Sequence, residues 1–301
     1  MTAPQTPDGA PVEKVSLPDD LRAPQHASDA EYEQYFRIAR TQAGLLTWTR
    51  SCLQIQDSVL EDLPAADLDE AERARLVAGL ALLNRAALAA WAQPTSDPPD
   101  TATPAEPPTR SDTDQDQSYA LRRWRLGHQL FHLQLGRMLT VLDGALAAAR
   151  HGRIRQLTLA MDELVILYDA ATATMTYTAA FSADAYRRDV RPTMEPPFLP
   201  AGFSGRLNRE HRTMTAQLQT LLRTVKDLPH TPEHDRVDIR STTARLREAK
   251  RRNQANHIRI CEHFVPDGVS LLQAHLAGHT EPRRIGPAFD AEPGPDADAD
   301  E

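Results

Sequence analysis

Cysteine is nearly missing from this chain: 301 residues contain only Cys52 and Cys261. Two thiols exclude a disulfide framework and a four-cysteine zinc site, and the Cys-x-x-Cys-His signature of c-type cytochromes does not occur. Aromatic residues make up 5% of the chain, and no basic block is interleaved with them, so nucleic acid is not an expected partner. No run approaches the roughly 18 apolar residues of a membrane span. The leader, Met1 to Ala30, lacks the apolar core of a signal peptide. A cytoplasmic chain without a membrane partner is therefore expected. Sustained period-two alternation of β-branched residues is also missing, which leaves an all-α fold.

Proline is plentiful, and its 23 copies mark the boundaries. Residues 1–28 read as a disordered leader and 280–301 as a disordered acidic tail, where much of the net charge of −8 gathers. Between them, 29–279 reads as one helical domain. Residues 93–117 interrupt it with six prolines among Thr, Ser and Asp, as expected of an exposed loop.

The apolar spacing predicts helices over about 30–60, 67–92, 121–150, 153–180, 208–225, 232–264 and 267–277. The clearest stripe is Leu121, Trp124, His128, Phe131, Leu135, Met138 and Leu142, spaced alternately three and four. It puts His128 on an inward face, with His132 one turn further, where packing is the simpler role. A His128/His132 zinc pair has no third ligand at suitable spacing. The helices at 121–150 and 153–180 meet at His151 and Gly152, so an antiparallel pair is expected. Asp184 to Gly205 holds Arg187, Arg188, Arg191 and four prolines. Its prolines argue against a continuing helix. Phe198, Leu199 and Phe203 argue for a loop pressed on a core. Cys52, beside Leu53 and Ile55, reads as a buried structural thiol.

Near the end of the last long helix, His257 and Cys261 stand four residues apart, about one helical turn. The stripe around them is Leu246, Ala249, Ile260, Cys261 and Phe264, so His257 is expected to point inward. From the residues alone, two readings stay open: an iron or other metal ligand, or a core histidine satisfied by a hydrogen bond.

Leu-Gly-His-Gln-Leu-Phe-His-Leu-Gln-Leu, residues 126–135, resembles the His-Gln helix of the tryptophan 2,3-dioxygenase superfamily. The order that follows is similar: Leu142-Asp143, a glycine-ended turn, a second long helix with Thr174-Met175, an arginine segment, then Gly202-Phe203-Ser204. His257-x-x-x-Cys261, the run Arg191 to Pro197 and the short Val265-Pro266-Asp267-Gly268 look more like the histidine-ligated heme-dependent aromatic oxygenases. Those are tyrosine and 3-methyltyrosine hydroxylases of actinobacterial antibiotic pathways. The resemblance covers roughly residues 118–276.

It implies a helical bundle enclosing a b-type heme, with His257 as axial iron ligand and Cys261 as the point of a single thioether. His128 would be the distal acid–base group, suited to a pKa near neutrality. His211 is the runner-up for either heme role. Arg191, then Arg188, would hold a substrate carboxylate, and Ser204 and Gly205 would offer a hydroxyl and an N–H to the distal pocket. Tyr168, Tyr177 and Trp124 are wall candidates that core packing explains equally well. The implied reaction is ring hydroxylation of L-tyrosine or a methylated tyrosine to a catechol, with hydrogen peroxide or O2. An indole or tryptophan oxygenase and a cofactor-free helical binding protein are the rivals. Relatives form homo-oligomers, so a dimer or tetramer is expected, with the Ala-rich 67–92 as one candidate surface.

Overall fold

The computed structural model describes residues 15–17, 27–40, 45–91, 118–195, 198–199, 203, 205–228 and 233–265. The loop at 93–117, the expected helix at 267–277 and the acidic tail lie outside the described residues, as does most of the leader. Helices dominate, as the spacing predicts. Two three-residue strands, β1 (Val15–Leu17) and β2 (Ile38–Arg40), pair in parallel with Val15 opposite Ile38. The first of these strands falls inside the expected disordered leader.

The helix expected over 30–60 is broken in two. α1 (Ala27–Tyr35) ends before Phe36, and α2 (Leu45–Asp62) starts afresh. The break has a tertiary cause: the Gln129 side chain donates to the Phe36 carbonyl at 3.1 Å, and Arg37 turns into the left-handed region at φ 56°. α3 (Glu70–Trp91) opens with a reciprocal capping box. There Asp69 Oδ1 accepts from the Glu72 N–H at 2.7 Å, and Glu72 Oε2 accepts from the Asp69 N–H at 3.3 Å.

α4 (Tyr119–Arg150) and α5 (Ile154–Thr178) form the antiparallel pair at the centre. Ser118 caps α4 by accepting the Leu121 N–H at 3.3 Å, and Gly152, at φ 63°, makes the turn between the two helices. The pair is tight. A Cβ on Gly127 would lie 1.9 Å from Thr178 Oγ1, so only glycine fits there.

After α5 the chain does not pass directly into the expected proline-broken loop. It stays helical in tight turns: α6 (Ala183–Ala185), a π turn at Tyr186–Val190 and a 3-10 turn at Arg191–Met194. Pro192 sits in the first turn of that last piece, where its missing N–H costs nothing. Beyond it, α7 (Arg209–Lys226) packs along α4, and α8 (Glu233–Phe264) along α5.

The core has three parts. One lies among α4, α5, α7 and α8, including Leu135, Leu164, Leu221 and Leu246. A second joins α2 and α3 to the other side of the central pair, and buried Cys52 belongs to it. The third is mostly aromatic and gathers Tyr32, Tyr35, Phe36, Phe181, Tyr186, Phe203 and Phe264. Within the apolar interior Arg123 grips Asp62 through Nε at 2.7 Å and a terminal nitrogen at 3.2 Å, while the Tyr177 hydroxyl donates to the same carboxylate at 2.7 Å. Tyr177 is thus a core residue, as is Tyr168, whose hydroxyl donates to Met214 Sδ.

Gly127→Ala should destabilise the fold by about 2–3 kcal/mol in urea unfolding, because the helix pair must separate to admit a methyl. Unchanged stability would mean that the pair is not in contact there. Burial raises the Asp62 pKa, but the bonds from Arg123 and Tyr177 outweigh it and the net shift is downward. A folded pKa below the unfolded one stabilises at pH above about 4 and is lost as pH falls through the folded value. Asp62→Asn should therefore flatten the acid limb of the stability–pH curve.

Candidate active site between α4, α7 and α8

The rotation of α8 decides where His257 points, and polar contacts set it. Asn253 donates to Thr172 Oγ1 at 3.0 Å, and Asn256 donates to the Thr172 carbonyl and to Thr176 Oγ1, each at 3.1 Å. Arg245–Asp162 at 2.6 Å and Arg252–Asp169 at 2.7 Å extend this ladder along α5. Leu246, Ala249 and Phe264 complete the buried face, as the stripe predicts. With about 100° per residue, His257 then falls roughly 60° to one side of that face. It is half-buried, on the flank of α8. Burial and the charge of His211 both push its pKa down, so the ring is held neutral and available as a ligand.

Cys261 sits one turn on, its Sγ 3.7 Å from His257 Nδ1. It is exposed rather than part of the apolar stripe, a correction to the sequence-based expectation. Its position lies about 100° from the α5-facing line, too far round to be covered. Enough protein still surrounds the sulfur to push the thiol pKa up, and the Glu262 charge adds to that shift.

His128 answers from α4. Its Nδ1 lies 2.7 Å from the Trp124 carbonyl, which can only accept, so Nδ1 carries the proton and Nε2 the lone pair. Phe36 stacks on the ring at 4.0 Å and Trp124 lies at 4.5 Å. Packed this densely, the imidazole has its pKa driven down to about 4, by burial first, with the His257 charge adding to the drop. That departs from the near-neutral value expected of an acid–base histidine. His211, on the first turn of α7, faces the same space and lies 6.4 Å from Phe131. The three imidazoles are linked electrostatically, the His257 charge acting on His128 and the His211 charge on His257, and the space they share is the candidate cleft.

His132 packs, as expected: fully buried, with Nδ1 3.3 Å from Asn208 Nδ2 and 3.7 Å from Glu210. Asn208 in turn caps α7 by accepting the His211 N–H at 2.7 Å and donates to Tyr32 at 3.3 Å. α1 is drawn onto the site by that bond and by Asp29, which pairs with Arg212 at 2.9 Å.

Of the three candidate arginines, Arg191 is the one whose charge reaches the buried aromatic cluster. Its charge and that of Glu195 act on the buried Tyr186 hydroxyl, which also feels Cys261 and Tyr35. Tyr186 stacks on Phe264 at 4.4 Å and approaches Trp124 at 5.8 Å. Arg188 instead pairs with adjacent Asp189 at 2.8 Å and is 68% exposed, and exposed Arg187 pairs with Asp184. Gly205 is exposed in a short 3-10 turn, and Ser204 lies outside the described residues. Phe203 is buried in the aromatic cluster, whereas Phe198, expected on the core, is 66% exposed. Sequence reasoning misses Tyr35, Tyr186 and Glu195, because isolated residues at helix ends and in short turns carry no periodic signal.

Among the described residues no group of three His, Cys, Asp or Glu is placed to hold a metal ion directly. No helix there is long and apolar enough to cross a membrane. Comparison with known proteins bears on the whole arrangement. The family model described as SfmD 3-methyl-L-tyrosine peroxygenase matches residues 2–249.

The chain belongs to that family.

A 3-methyl-L-tyrosine peroxygenase of Streptomyces lavendulae is 27% identical over 212 residues, covering 69% of this chain. The chain spans about half of that relative, 54% of its length. The crystal structure of reduced SfmD, obtained by soaking with sodium hydrosulfite, superimposes with a TM-score of 0.51 at 18% identity. It covers 78% of this chain and 77% of that one. At this identity the likeness shows the fold, which agrees with the helical architecture expected from the sequence. The family match stops eight residues before His257.

Replacing Asn256 by Leu removes two hydrogen bonds to α5, one to the Thr172 carbonyl and one to Thr176 Oγ1. We expect a loss of about 1–3 kcal/mol in chemical unfolding. An unchanged value would mean that the ladder does not hold α8.

Proposed function

We propose that the cleft holds a heme on His257 and that the protein hydroxylates the ring of L-tyrosine or a ring-methylated tyrosine to a catechol. The observation that supports this reading is a pair of imidazoles held neutral on different helices, His128 on α4 and His257 on α8, near enough for the charge of His257 to act on His128. The cleft offers too few clustered donors for a bare ion, but a porphyrin brings four nitrogens and asks the protein for only one or two ligands. Half-buried and neutral, His257 would hold the iron, and the aromatic cluster would suit a flat macrocycle. Cys261, one turn away, is the residue to attach through a single thioether. The family's description as a peroxygenase and the reduced state of the SfmD structure accord with a redox-active group.

Heme supplies the activation of hydrogen peroxide (or O2), and the chain supplies the rest. His128 Nε2 accepts a proton from the peroxide and can return it, with Nδ1 anchored to Trp124 so that the ring cannot turn away. Its depressed pKa keeps Nε2 unprotonated over the neutral range, as a base requires. Phe36, Trp124 and Tyr35 exclude water and give the substrate ring apolar faces. Arg191 binds the substrate carboxylate. His211 stands as the second imidazole near His257. Dimer or tetramer assembly belongs to the same reading.

The heme-loaded protein should show a Soret band that His257→Ala abolishes or shifts while His128→Ala retains it. Acid–acetone should leave the pigment on the chain, and Cys261→Ala should release it. With peroxide, and separately with O2 and ascorbate, a catechol should form from tyrosine or its methylated form. Product from tryptophan alone overturns the substrate, and protein from heme-supplied cells without a Soret band overturns the cofactor.

A further inference from the structure

Five residues along an ordinary α-helix would carry Arg191 roughly 140° around the axis from Tyr186. Here a π turn cancels that divergence: the Arg191 N–H donates to the Tyr186 carbonyl, and the two residues come to the same side. Such turns recur at functional sites, and this one has a specific result. It brings a guanidinium beside a buried tyrosine that also feels Cys261, Tyr35 and Glu195.

The partner of that guanidinium is Glu195, four residues on, with Oε1 accepting from Arg191 Nε at 2.9 Å. The pair is neither sealed nor fully open, with side-chain exposures of 28% and 40%. An i,i+4 pair of this kind contributes little to stability and opens readily. The bond uses Nε, and a guanidinium carries four further N–H donors suited to a carboxylate. Arg187 and Arg188 also pair with acids, but on the exposed side of the turn.

We propose that Arg191 and Glu195 form a zwitterion clamp, Arg191 taking the carboxylate of a free α-amino acid and Glu195 its ammonium group. This rests on the reading of Arg191 as the substrate arginine and extends it to a second group and a ligand class. Binding replaces one internal ion pair by two intermolecular ones, so neither charge is left unpaired. The ring of the ligand then lies toward Trp124 and Tyr35, on the side of His128. An amine without the carboxylate, or an acid without the ammonium, would break the internal pair and satisfy only one of its members.

The test uses the full-length, heme-loaded protein and equilibrium dialysis with L-tyrosine, tyramine and 3-(4-hydroxyphenyl)propanoate. L-Tyrosine should bind at least about tenfold more tightly than either analogue. Glu195→Gln should remove most of that advantage for L-tyrosine and leave the propanoate unchanged or tighter. Arg191→Gln should weaken L-tyrosine and the propanoate and spare tyramine. Thermal melting of both variants should match the parent, since the residues are partly exposed. If Glu195→Gln weakens L-tyrosine and the propanoate by the same factor, or affects neither, the clamp is overturned while Arg191 as carboxylate partner still stands. If the parent loads heme but binds no L-tyrosine, the substrate reading falls and the clamp with it.

Discussion

One degree of freedom, the rotation of α8 about its own axis, governs the geometry of the cleft. A helix of this length touching a neighbour through small and aliphatic residues can roll, because apolar contact is not directional. The ladder from Asn253 and Asn256 to Thr172 and Thr176 is directional. Rolling by the angle of a single residue would break these bonds and carry His257 either against α5 or out into water. The acceptors are themselves fixed, since Thr172 and Thr176 each donate to the carbonyl one turn earlier on α5. α5 is fixed in turn by its contact with Gly127 of α4. His128 and His257 thus have their relative positions set through one chain of contacts, from α4 through α5 to α8.

Charge imposes the next constraint. Burial favours the neutral forms of His128 and His257, and the charges of His257 and His211 act in the same direction on His128 and His257 respectively. Neutrality leaves each ring with one lone pair, and at His128 the Trp124 carbonyl decides which nitrogen carries it. Acids are present, but at a remove: Glu210 is engaged with His132, and Glu195 with Arg191. The lone pair of His128 and the Arg191–Glu195 ion pair are thus carried by different elements, α4 and the 3-10 turn that follows the π turn.

Much of this is legible in the sequence because helical periodicity is a strong signal in long segments. The stripe on α4 places His128 on the inner face, and the spacing on α8 finds Leu246, Ala249 and Phe264 on the buried one. What periodicity misses is decided by contacts distant in sequence. The break at Phe36 depends on Gln129, 93 residues away. The exposure of Cys261 depends on how α5 sets the roll of α8, and two asparagines in a polar helix read as surface. Their spacing of three, matched by Thr172 and Thr176 at four, is a signal that only a known helix pairing makes readable. Prolines at 192 and beyond argue against helix, but Pro192 occupies a first-turn position where proline is tolerated. The helix start near Asp69 and the glycine turn at Gly152 are local features, and there sequence and structure agree.

The family match ends at Ala249, and His257 lies beyond it. Helix mechanics connect the two. α8 runs without interruption from Glu233 to Phe264, so the matched segment contains more than half of the helix and fixes its axis. Eight further residues add about 12 Å of rise and a net turn of about 80°. Ala249 is fully buried against the core. A position 80° round from it, two turns on, falls at the flank of the contact with α5 rather than at its centre or its back. That is where His257 stands, half-buried and within reach of the His211 charge. The direction of His257 is therefore a mechanical consequence of the part of the chain that carries the family's signature, provided the helix stays unbroken across 250–257. The amide ladder at Asn253 and Asn256 keeps that short bridge in register.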